Sequence, residues 1–562
     1  MVFSRLKRGY KNINRLRQII NILIEYGFDY FVKQLGLIKL PTKSEKILKL
    51  KPSKIDQTPL PMRVRLTLEE LGPTFVKLGQ ILSTRPDIIP LKYIKELEKL
   101  QDKVPPFAYA QVEQIVHKEL GANVSELFQS FEEKPFASAS LGQVHKAILK
   151  EDKVKVVVKV QRPDMEKIIE TDLDILFHLT RLAERHIPES RLYDPVGVAE
   201  EFAKTIRMEL DYGTEGRNAE RFRKNFEEEK TIYIPKVYWE LSSKRILTME
   251  YIDGIKINHL KELEEAGYDR KKLAENGAKS FMKQMLIDGF FHADPHPGNI
   301  LVMENEIIGF MDFGMTGKID EETKEKYVNL LIAVLERNSN KILTEILNLG
   351  FTSQETIDTR SLKTDIADLL DQYYDKALKE IKLGEFITHL VQISIKYHIK
   401  MPAELALLGK SLLTIEGIGL ALDPDFNLTE IAKPYVKDII LERKSPQHLL
   451  LKLSNDLSEF YNLMFLIPKQ LSKTLKKMEE GIFKLELQHR GLENLINALD
   501  KATNRLSYSL ILVAIIIGSS LIMQTEKGPQ FMGFPVIGVI GFLISGILGL
   551  GLVIMILRSG KM

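Results

Sequence analysis

Three oxygen-bearing side chains near the middle of the chain have the types and spacing of a metal–phosphate site: Asp294, Asn299 and Asp312. Two prolines prevent a helix in the segment FHADPHPGN, so its polar side chains are presented from irregular backbone. Two short predicted strands, 300–302 and 307–311, then form a hairpin that ends at Asp312. The hairpin brings the two carboxylates and the amide together, and hard oxygen ligands of this kind suit Mg²⁺ bound to phosphates.

The same spacing matches the catalytic pattern of protein kinases, H-x-D-x-x-x-x-N followed by D-F-G. In that pattern Asp294 positions or deprotonates the attacking group, while Asn299 and Asp312 hold the metal. Zinc bound to His292 and His296 is the alternative. Because the H-x-x-x-H spacing serves zinc on a helix, and the prolines exclude a helix, the pattern favours Mg²⁺.

A lysine upstream, Lys159, lies within the strongly β-forming run VVVKV. In the kinase pattern such a lysine contacts the α- and β-phosphates of ATP and a glutamate on a helix. The alternative is a lysine on the exposed face of an edge strand. The position of Lys159 ahead of the 294–312 block favours the first interpretation.

Three acids, Glu209, Asp211 and Glu215, are the candidates for that pairing. On a continuous helix Asp211 and Glu215 would share a face, whereas Glu209 and Asp211 would point about 200° apart. Two glycines in this segment leave the continuity of the helix open. A solvated acidic face is the alternative.

The elements that must position these residues predict an α+β fold with a small lobe and a larger helical lobe. Strands are expected at 143–149, 153–160, 234–240 and 246–252, and a helix at 164–186. In chain order, the predicted organisation is basic amphipathic helices (1–60), a helical extension (61–134), the small lobe (135–252), the large lobe (253–440), a helical stalk (441–505) and a membrane hairpin (506–557).

Composition narrows the function further. A length of 562 residues suggests three or four domains. Lys and Arg number 79 against 76 Asp and Glu, a net charge of +3 that gives no indication of nucleic-acid binding. The chain has no cysteine, which excludes disulfides, thiolate metal sites and a cysteine nucleophile.

Two long uncharged segments near the C-terminus, 506–523 and 531–557, are long enough to span a bilayer as a helical hairpin. A buried hairpin in a soluble core is the alternative. Gly541, Ser545 and Gly549 recur every four residues and would let the second helix pack closely on a partner. Basic residues flank the hairpin on both sides, which predicts that its ends and the preceding domain lie in the cytoplasm.

The N-terminal segment is strongly basic and carries no acid over residues 1–17. Its apolar run is too short for a cleavable secretory signal. The segment predicts an amphipathic helix that either rests on anionic lipid or is solvated, and the sequence leaves both interpretations open.

Taken together, these residues resemble the UbiB-type atypical kinase family (the AarF/ADCK group) over about 60–320. KLGQ at 77–80 fits the family's KxGQ signature, and ELD at 209–211 fits its ExD motif. ASASLGQVH at 137–145 is similar to its Ala-rich nucleotide loop, with Ser at alternate positions. HADPHPGN and DFG match its catalytic segments, and bacterial members likewise carry a C-terminal transmembrane hairpin.

The resemblance implies a two-lobed protein-kinase-like fold that uses ATP and Mg²⁺. It implies that Lys159 pairs with Glu215 and the nucleotide phosphates. Asp294 takes the catalytic position, and Asn299 and Asp312 ligate Mg²⁺.

Further residues take their roles from the same resemblance. Lys77 and Gln80 would sit over the active site, where they contact the acids Glu209 and Asp211 and occlude a protein substrate; Lys77 is thereby grouped with the catalytic residues. Glu250 and Ile252 fall where a hinge would present backbone groups to adenine. The remaining residues expected to contact the nucleotide form the loop and the strand after it: Ala137, Ser138, Ala139, Ser140, Leu141, Gly142 and Val144.

The segment after Asp312 bears on the substrate. Kinases that phosphorylate proteins carry an activation segment and an A-P-E anchor after D-F-G. Here MTGKID separates Gly314 from a helical pattern that starts at Glu321, and no A-P-E occurs. So short a segment cannot form a peptide-docking platform, which argues against protein phosphorylation.

The expected function is a membrane-anchored, ATP- and Mg²⁺-dependent kinase-like ATPase that supports isoprenoid-quinone (ubiquinone-type) biosynthesis or lipid handling. One alternative is a kinase that acts on a small molecule or lipid, and another is an ATP-binding pseudokinase scaffold for membrane biosynthetic enzymes. Expected partners are a membrane lipid or isoprenoid-quinone precursor and a biosynthetic enzyme complex; a homodimer is left open, and no nucleic acid is expected. The expected location is the cell membrane, with the kinase-like domain in the cytoplasm.

Overall fold

The computed structural model describes residues 2–37, 58–85, 88–100, 104–188, 190, 194–352, 357–372, 382–443, 445, 492–524, 529–531 and 534–558. The chain divides into two compact units, Met1–His448 and Leu449–Met562. The first unit carries all of the predicted nucleotide-site residues.

The N-terminal region is helical. Its helices are α1 (Val2–Glu25), α2 (Asp29–Gln34), α3 (Leu60–Leu71), α4 (Pro73–Leu82), α5 (Leu91–Leu97), α6 (Tyr109–Leu120) and α7 (Val124–Leu127). A tight turn joins α3 to α4 at Gly72, whose φ of +99° is a conformation that residues with a Cβ rarely adopt. Pro73 then opens α4 at the first helical position, where proline is well tolerated. This turn places the KxGQ segment on α4.

The small lobe is built on an antiparallel sheet with helices beside it. Its elements are β1 (Phe128–Phe131), β2 (Ala137–Ser138), β3 (Gly142–Leu149), β4 (Lys155–Gln161), α8 (Met165–His186), α9 (Pro195–Glu209), α10 (Tyr212–Asn225), β5 (Ile232–Tyr233) and β6 (Ile246–Glu250). The strand order is β1-β3-β4-β6, and β2 pairs with β3. The strands predicted at 143–149, 153–160 and 246–252 and the helix predicted at 164–186 are confirmed.

The two faces of β4 have different surroundings. Val156, Val158 and Val160 are fully buried and pack with residues of α6 in one hydrophobic cluster. Side chains alternate along a strand, so Lys159 points to the opposite face. Lys159 is opposite Val144 on β3 and Leu247 on β6, so it lies on an inner strand of the sheet with a neighbour on each side.

The strand predicted at 234–240 is wrong. The structure has β5 just before it, a single bridge from Val237 to Met249, and a 3₁₀ turn at Trp239–Leu241. Pro235 lacks the backbone N–H that a strand ladder needs, so the apolar residues of this segment pack into the core without forming a regular strand.

An ion pair holds α1 against the rest of the first unit. The guanidinium of Arg15 donates to both carboxylate oxygens of Asp172 on α8, at 2.7 and 3.0 Å, and to the carbonyl of Leu71 at 2.7 Å. Ile19 and Ile22 are buried in the same place against the α3–α4 turn. This end of α1 is therefore docked on protein, with Arg15 engaged by Asp172 and Leu71.

The large lobe begins with short strands and continues as helices. Its elements are β7 (Ile255–Lys256), α11 (Leu260–Glu265), α12 (Arg270–Met282), a π-helical turn (Lys283–Ile287), β8 (Phe290–His292), β9 (Ile300–Val302), β10 (Ile308–Phe310), β11 (Thr316–Lys318), α13 (Glu321–Leu335), α14 (Ser339–Leu349), β12 (Phe351–Thr352), α15 (Thr359–Asp371), α16 (Leu383–Lys396), β13 (Ile399–Lys400), α17 (Ala403–Leu422) and α18 (Leu428–Arg443). The hairpin predicted around 300–311 is confirmed as β9 and β10, which pair antiparallel.

One continuous hydrophobic core joins α10 of the small lobe to the helices of the large lobe. The apolar helix α17 runs through this core and is more than half buried, so its length and hydropathy reflect core packing. Residues 446–491, which make up most of the predicted stalk, lie outside the described residues.

The second unit is a helical hairpin of α19 (Leu492–Met523) and α20 (Val536–Arg558), with β14 (Gln530–Phe531) and β15 (Phe534–Pro535) between them. The helices are antiparallel, since Gly538 lies beside Met523 and Gly541 beside Ser519. A Cβ at Gly541 would lie within 2.0 Å of the Ser519 hydroxyl, so the small residue permits this close packing. Residues Ala502–Met523 are long and apolar enough to cross a membrane, and most of their apolar side chains are exposed.

Candidate functional site

A buried ion pair joins the sheet to α10. The ammonium of Lys159 donates to both oxygens of Glu215, at 3.0 and 2.8 Å. Glu215 is only 5% exposed and lies in the first turn of α10, so the strand and the helix fix this pair from two sides. The stability of a buried ion pair depends strongly on its geometry, because removing either partner leaves an uncompensated charge away from water.

A second carboxylate reaches the same ammonium from the large lobe. Asp312 Oδ1 lies 4.0 Å from Lys159 Nζ. Burial alone would lower the pKa of Lys159, but the carboxylates of Asp312 and Glu215 outweigh burial and raise it, so the ammonium stays charged at neutral pH. The Lys159 charge in turn holds the pKa of Asp312 below its usual range. The side chain of Asp312 is half exposed and its carboxylate is ionised.

The backbone at Asp312 is strained in a way that aims the side chain. Its φ is +59°, in the left-handed region that Asp tolerates better than most residues with a Cβ. The carboxylate accepts a hydrogen bond from Gly314 N at 3.2 Å, which stabilises this turn after β10. Outliers of this kind cluster at binding sites.

The loop between β8 and β9 is held by its own hydrogen bonds. Asp294 N donates to His292 Nδ1 at 3.2 Å, and Ser411 on α17 donates to the carbonyl of Ala293 at 3.2 Å. The amide of Asn299 lies 3.5 Å from the Asp294 carbonyl. Met311 N donates to the carbonyl of Asn299 at 2.9 Å, so the loop and the start of the DFG turn lie side by side. The structure thus brings Asp294, Asn299 and Asp312 to one end of the hairpin.

The donor atoms at this end suit a hard cation better than zinc. His292 is buried, burial lowers its pKa, and its Nδ1 is engaged by Asp294 N. His296 Nδ1 accepts from Gly298 N at 3.1 Å. Within the described part of the chain, no three His, Cys, Asp or Glu side chains come together as a metal cluster. Asn299 and Asp312 offer two oxygen ligands, a set that fits Mg²⁺ completed by phosphates and water.

The predicted nucleotide loop is short and tied at both ends. Ala137 pairs with Val144, and Ala139 N donates to the carbonyl of Gly142 at 2.8 Å. Arg162, which follows β4, donates to the Ala139 carbonyl at 3.2 Å and to the Ser138 hydroxyl at 3.0 Å.

The residues after this turn are packed into the protein. Ser140 is buried, and Leu141 packs in a cluster with α8 and α9. Gly142 has no room for a side chain, since a Cβ there would meet the Tyr212 hydroxyl at 2.3 Å and the Val160 carbonyl at 2.6 Å. Sequence reasoning missed Arg162 and Tyr212, because both act through contacts that are distant along the chain. The position of Arg162 next to Pro163 gives no local signal of a partner.

The predicted hinge follows β6. The carboxylate of Glu250 accepts from the Tyr233 hydroxyl at 2.6 Å, so a ligand contact at this residue would come from its backbone. Ile252 is buried, and Tyr251 N donates to the carbonyl of Lys155 at 3.0 Å. The hinge segment is therefore fixed to the edge of the sheet.

The KxGQ helix α4 contacts one of the ExD acids. Lys77 Nζ lies 3.3 Å from Glu209 Oε2, and both side chains are mostly buried. Gln80 donates to the carbonyl of Leu100 at 3.3 Å. Asp211 caps α10 by accepting from Gly213 N at 3.0 Å. The structure brings Lys77 and Glu209 together as expected, whereas the hydrogen bonds of Gln80 and Asp211 go to other partners, and the roles assigned to all four stay predictions.

A strand lysine paired with a helical glutamate, facing an Asp-bearing hairpin across two lobes, is the arrangement of the protein-kinase-like class. Sequence comparison agrees and is more specific. Three family models match the chain: the ABC1 atypical kinase-like domain over residues 99–346, the UbiB helical domain over 366–427 and the ABC1/UbiB kinase-like C-terminal domain over 490–558.

Named relatives extend over almost the whole chain. A protein named "Probable protein kinase UbiB" from Marinobacter nauticus is 35% identical, over 93% of this chain and 96% of the relative. An uncharacterized protein in the hydrogenase 1 5' region of Clostridium pasteurianum is 36% identical, over 98% of this chain and 100% of its own. The chain belongs to the ABC1/UbiB family of atypical kinase-like proteins, which confirms the resemblance drawn from its motifs.

Among solved structures, the complex of Rv3197 with erythromycin from Mycobacterium tuberculosis is similar over 65% of this chain and 93% of that one. The two are 24% identical and superimpose with a TM-score of 0.45, a likeness too loose to support any assignment.

Proposed function

We propose that this chain is a membrane-anchored, ATP- and Mg²⁺-dependent atypical kinase-like ATPase that supports isoprenoid-quinone (ubiquinone-type) biosynthesis or lipid handling. The observation that carries the nucleotide part is the position of the Lys159 ammonium, 2.8 Å from Glu215 and 4.0 Å from Asp312. An ammonium held between carboxylates from two lobes is placed to bind a phosphate oxygen as well.

The other side chains have roles that follow from their places. Asn299 and Asp312 would hold Mg²⁺, which would supply charge neutralisation for the phosphates when bound. Asp294, held by the loop hydrogen bonds, would orient the attacking water or hydroxyl group. Lys159, fixed by Glu215, would orient the phosphates against that group. Backbone groups at Glu250 and Ile252 would bind the base.

The substrate part of the proposal rests on the segment after DFG. Thr316–Lys318 forms β11, which pairs with β8, and α13 begins at Glu321. The segment therefore forms a strand of the large lobe, and its residues do not make a separate platform on which a peptide could bind. A water molecule, a small molecule or a lipid is the better acceptor for the phosphoryl group.

The membrane and quinone parts have separate support. The apolar stretch Ala502–Met523 on α19 exposes its side chains, as expected for contact with lipid tails. The relative from Marinobacter nauticus is named "Probable protein kinase UbiB", and the quinone role is the one that the resemblance to the UbiB-type family implies. A membrane hairpin in the same chain as a nucleotide site suits a hydrophobic client at the bilayer.

The test is ATP hydrolysis by the full chain in lipid vesicles. Asp312→Asn removes the negative charge of one predicted Mg²⁺ ligand and should lower the rate by about 100-fold or more. Asp371→Asn, an exposed aspartate at the end of α15, is the matched control and should leave the rate unchanged. Hydrolysis that is equally fast in Asp312→Asn would refute the site.

A second candidate function, phosphoryl transfer to a small molecule or lipid, is favoured by the same short segment. ATP labelled at the γ-phosphate distinguishes the two. Label released as inorganic phosphate supports an ATPase, and label in extracted lipid or in a small molecule supports a kinase. ATP that is bound but remains intact supports the scaffold alternative. Quinone content in cells that lack the gene, restored by wild type but not by Asp312→Asn, would connect the site to the pathway.

A further inference from the structure

Tyr212, the first residue of α10, is a buried side chain at the predicted phosphate site with no assigned role. It is 2% exposed, and the Lys159 ammonium lies 5.1 Å from the centre of its ring. Its hydroxyl has no hydrogen-bond partner among the described residues. A buried hydroxyl without a partner is destabilising, so such a group in a native structure calls for an explanation.

The position of the hydroxyl follows from the strand register. Gly142 and Val144 lie on the same face of β3, and Val144 is directly opposite Lys159 on β4. The Tyr212 hydroxyl lies 2.3 Å from where a Gly142 Cβ would be, on this same face. It therefore lies against the end of the nucleotide loop, on the face of the sheet that carries Lys159.

The surroundings leave the Tyr212 hydroxyl as a hydrogen-bond donor suited to an anionic acceptor. Burial raises the pKa of the Tyr212 phenol, so the O–H keeps its proton at neutral pH. The charged groups whose fields act on it are Lys159, Glu215, Asp312 and Lys77.

A second hydroxyl nearby also lacks a partner. Ser140 Oγ, in the loop before Gly142, is buried without a hydrogen bond within the described structure. The end of the loop and the start of α10 thus hold two hydroxyl donors that the described part of the protein does not satisfy. A phosphate, which accepts several hydrogen bonds, satisfies donors of this kind.

We propose that the Tyr212 hydroxyl is a phosphate-binding group of the nucleotide site, which donates a hydrogen bond to a phosphate oxygen of a nucleoside di- or triphosphate beside Lys159. This inference rests on the proposed function, because it needs a nucleotide in the cleft. It adds a residue that neither the kinase pattern nor the sequence motifs assign, and it explains why Gly142 must lack a side chain.

The test compares nucleotide affinities of the full chain and of Tyr212→Phe, which removes only the hydroxyl. We expect the Kd values for ATP and ADP to rise about tenfold, the value of one hydrogen bond to a charged acceptor. Adenosine, which has no phosphate, should bind equally to both proteins. The melting temperature should stay the same or rise, because an unsatisfied buried hydroxyl has been removed.

Tyr327 supplies a matched control. It is a buried tyrosine on α13 in the large lobe, and its hydroxyl also lacks a partner within the described structure. Tyr327→Phe should change stability in the same direction and leave all three affinities unchanged.

Each outcome decides one of the two proposals. Equal ATP and ADP affinities in Tyr212→Phe and wild type would overturn the role of the hydroxyl. An equal loss for adenosine would also overturn it, since the effect would then not depend on phosphate. A wild-type chain that binds neither ATP nor ADP would instead overturn the proposed function itself.

Discussion

The ammonium of Lys77, on the KxGQ helix α4, lies 3.3 Å from a carboxylate oxygen of Glu209, the last residue of α9. The exposed fractions of the two side chains are 16% and 8%, so the pair is largely removed from water. This contact connects the helical extension to the small lobe, one turn before the helix that carries Glu215.

Breaking this pair should be costly, whereas removing both charges should not. Lys77→Met leaves the Glu209 carboxylate without its partner ammonium, and we expect a loss of about 3 kcal/mol. The double variant Lys77→Met/Glu209→Gln should lose less free energy of unfolding than the sum of the losses of the two single variants, Lys77→Met and Glu209→Gln. Chemical denaturation of the four proteins measures the coupling.

An exposed pair serves as the control for that cycle. Arg207 and Glu170 are 2.7 Å apart but about half exposed, so Arg207→Met should cost no more than about 1 kcal/mol. A loss for Lys77→Met as small as that for Arg207→Met would contradict the importance of the buried pair.

Docking of the N-terminal helix depends on Arg15. Arg15→Gln removes both hydrogen bonds to Asp172, which is 1% exposed, and leaves that carboxylate without its cation. We expect a loss of about 3 kcal/mol that is confined to α1 and its contacts with the α3–α4 turn. Hydrogen exchange should therefore become faster in α1 and α4 and stay unchanged in the large lobe.

Arg17, exposed on the same helix, provides the comparison. Arg17→Gln removes the same charge without a buried partner, and exchange in α4 should not change. Identical exchange profiles for the two variants would show that the Arg15–Asp172 pair does not hold the helix.

The sequence predicted the elements with a strong local pattern. The run KVKVVVKV gives β4 because every second residue from Val156 to Val160 is a buried valine. Asp194-Pro195 gives the start of α9 because the carboxylate caps the helix at Gly197 N. The hairpin with Asp294, Asn299 and Asp312 at one end was predictable because two prolines and a D-F-G turn leave few alternatives.

The contacts that sequence did not reveal are those between distant segments. The hydroxyl of Tyr212 meets Gly142 seventy positions earlier, and neither residue has a periodic neighbour that points to the other. Arg162 binds the nucleotide loop through the Ala139 carbonyl and the Ser138 hydroxyl, more than twenty positions earlier in the chain, and no local pattern connects these positions. The helix around the ExD acids was ambiguous because its break at Asp211 depends on a cap, and Gly213 alone does not define one.

Stiffness of the nucleotide loop should influence nucleotide binding. Ala139 N donates to the Gly142 carbonyl, and the Ala139 carbonyl accepts from Arg162. Ala139→Gly widens the conformations open to the loop, so ordering it around a nucleotide costs more, by about 0.4–1 kcal/mol. We expect the Kd for ATP to rise about two- to fivefold, with a change in turnover measured in the same assay.

The control for this loop variant is Ala266→Gly, at the exposed end of α11, which should lower stability slightly and leave ATP binding unchanged. If Ala139→Gly alters neither affinity nor turnover, the alanine and serine residues of the loop have no role in setting nucleotide behaviour.

The stability of the large lobe should depend on pH through Glu416. This residue of α17 is 5% exposed, and its carboxyl oxygens accept hydrogen bonds from the backbone N–H groups of Leu383 and Gly384, at 2.7 and 2.9 Å. Burial raises the pKa of Glu416 from an ordinary value of 4.5 to about 7, against the opposing effect of the two N–H donors.

The sign of the effect follows from where the proton is held more tightly. Between about pH 4.5 and pH 7 the folded chain keeps the Glu416 proton that the unfolded chain has lost. The stabilisation from this proton is complete below pH 4.5 and disappears as the pH rises through 7, a difference of roughly 3 kcal/mol at most. Glu416→Gln, which cannot ionise, should remove that fraction of the pH dependence. The measurement is the melting temperature of wild type, Glu416→Gln and the exposed control Glu404→Gln at pH 5 and at pH 8. If the melting temperature of Glu416→Gln changes with pH as much as that of the control, the Glu416 carboxyl is ionised at both pH values and the prediction is wrong.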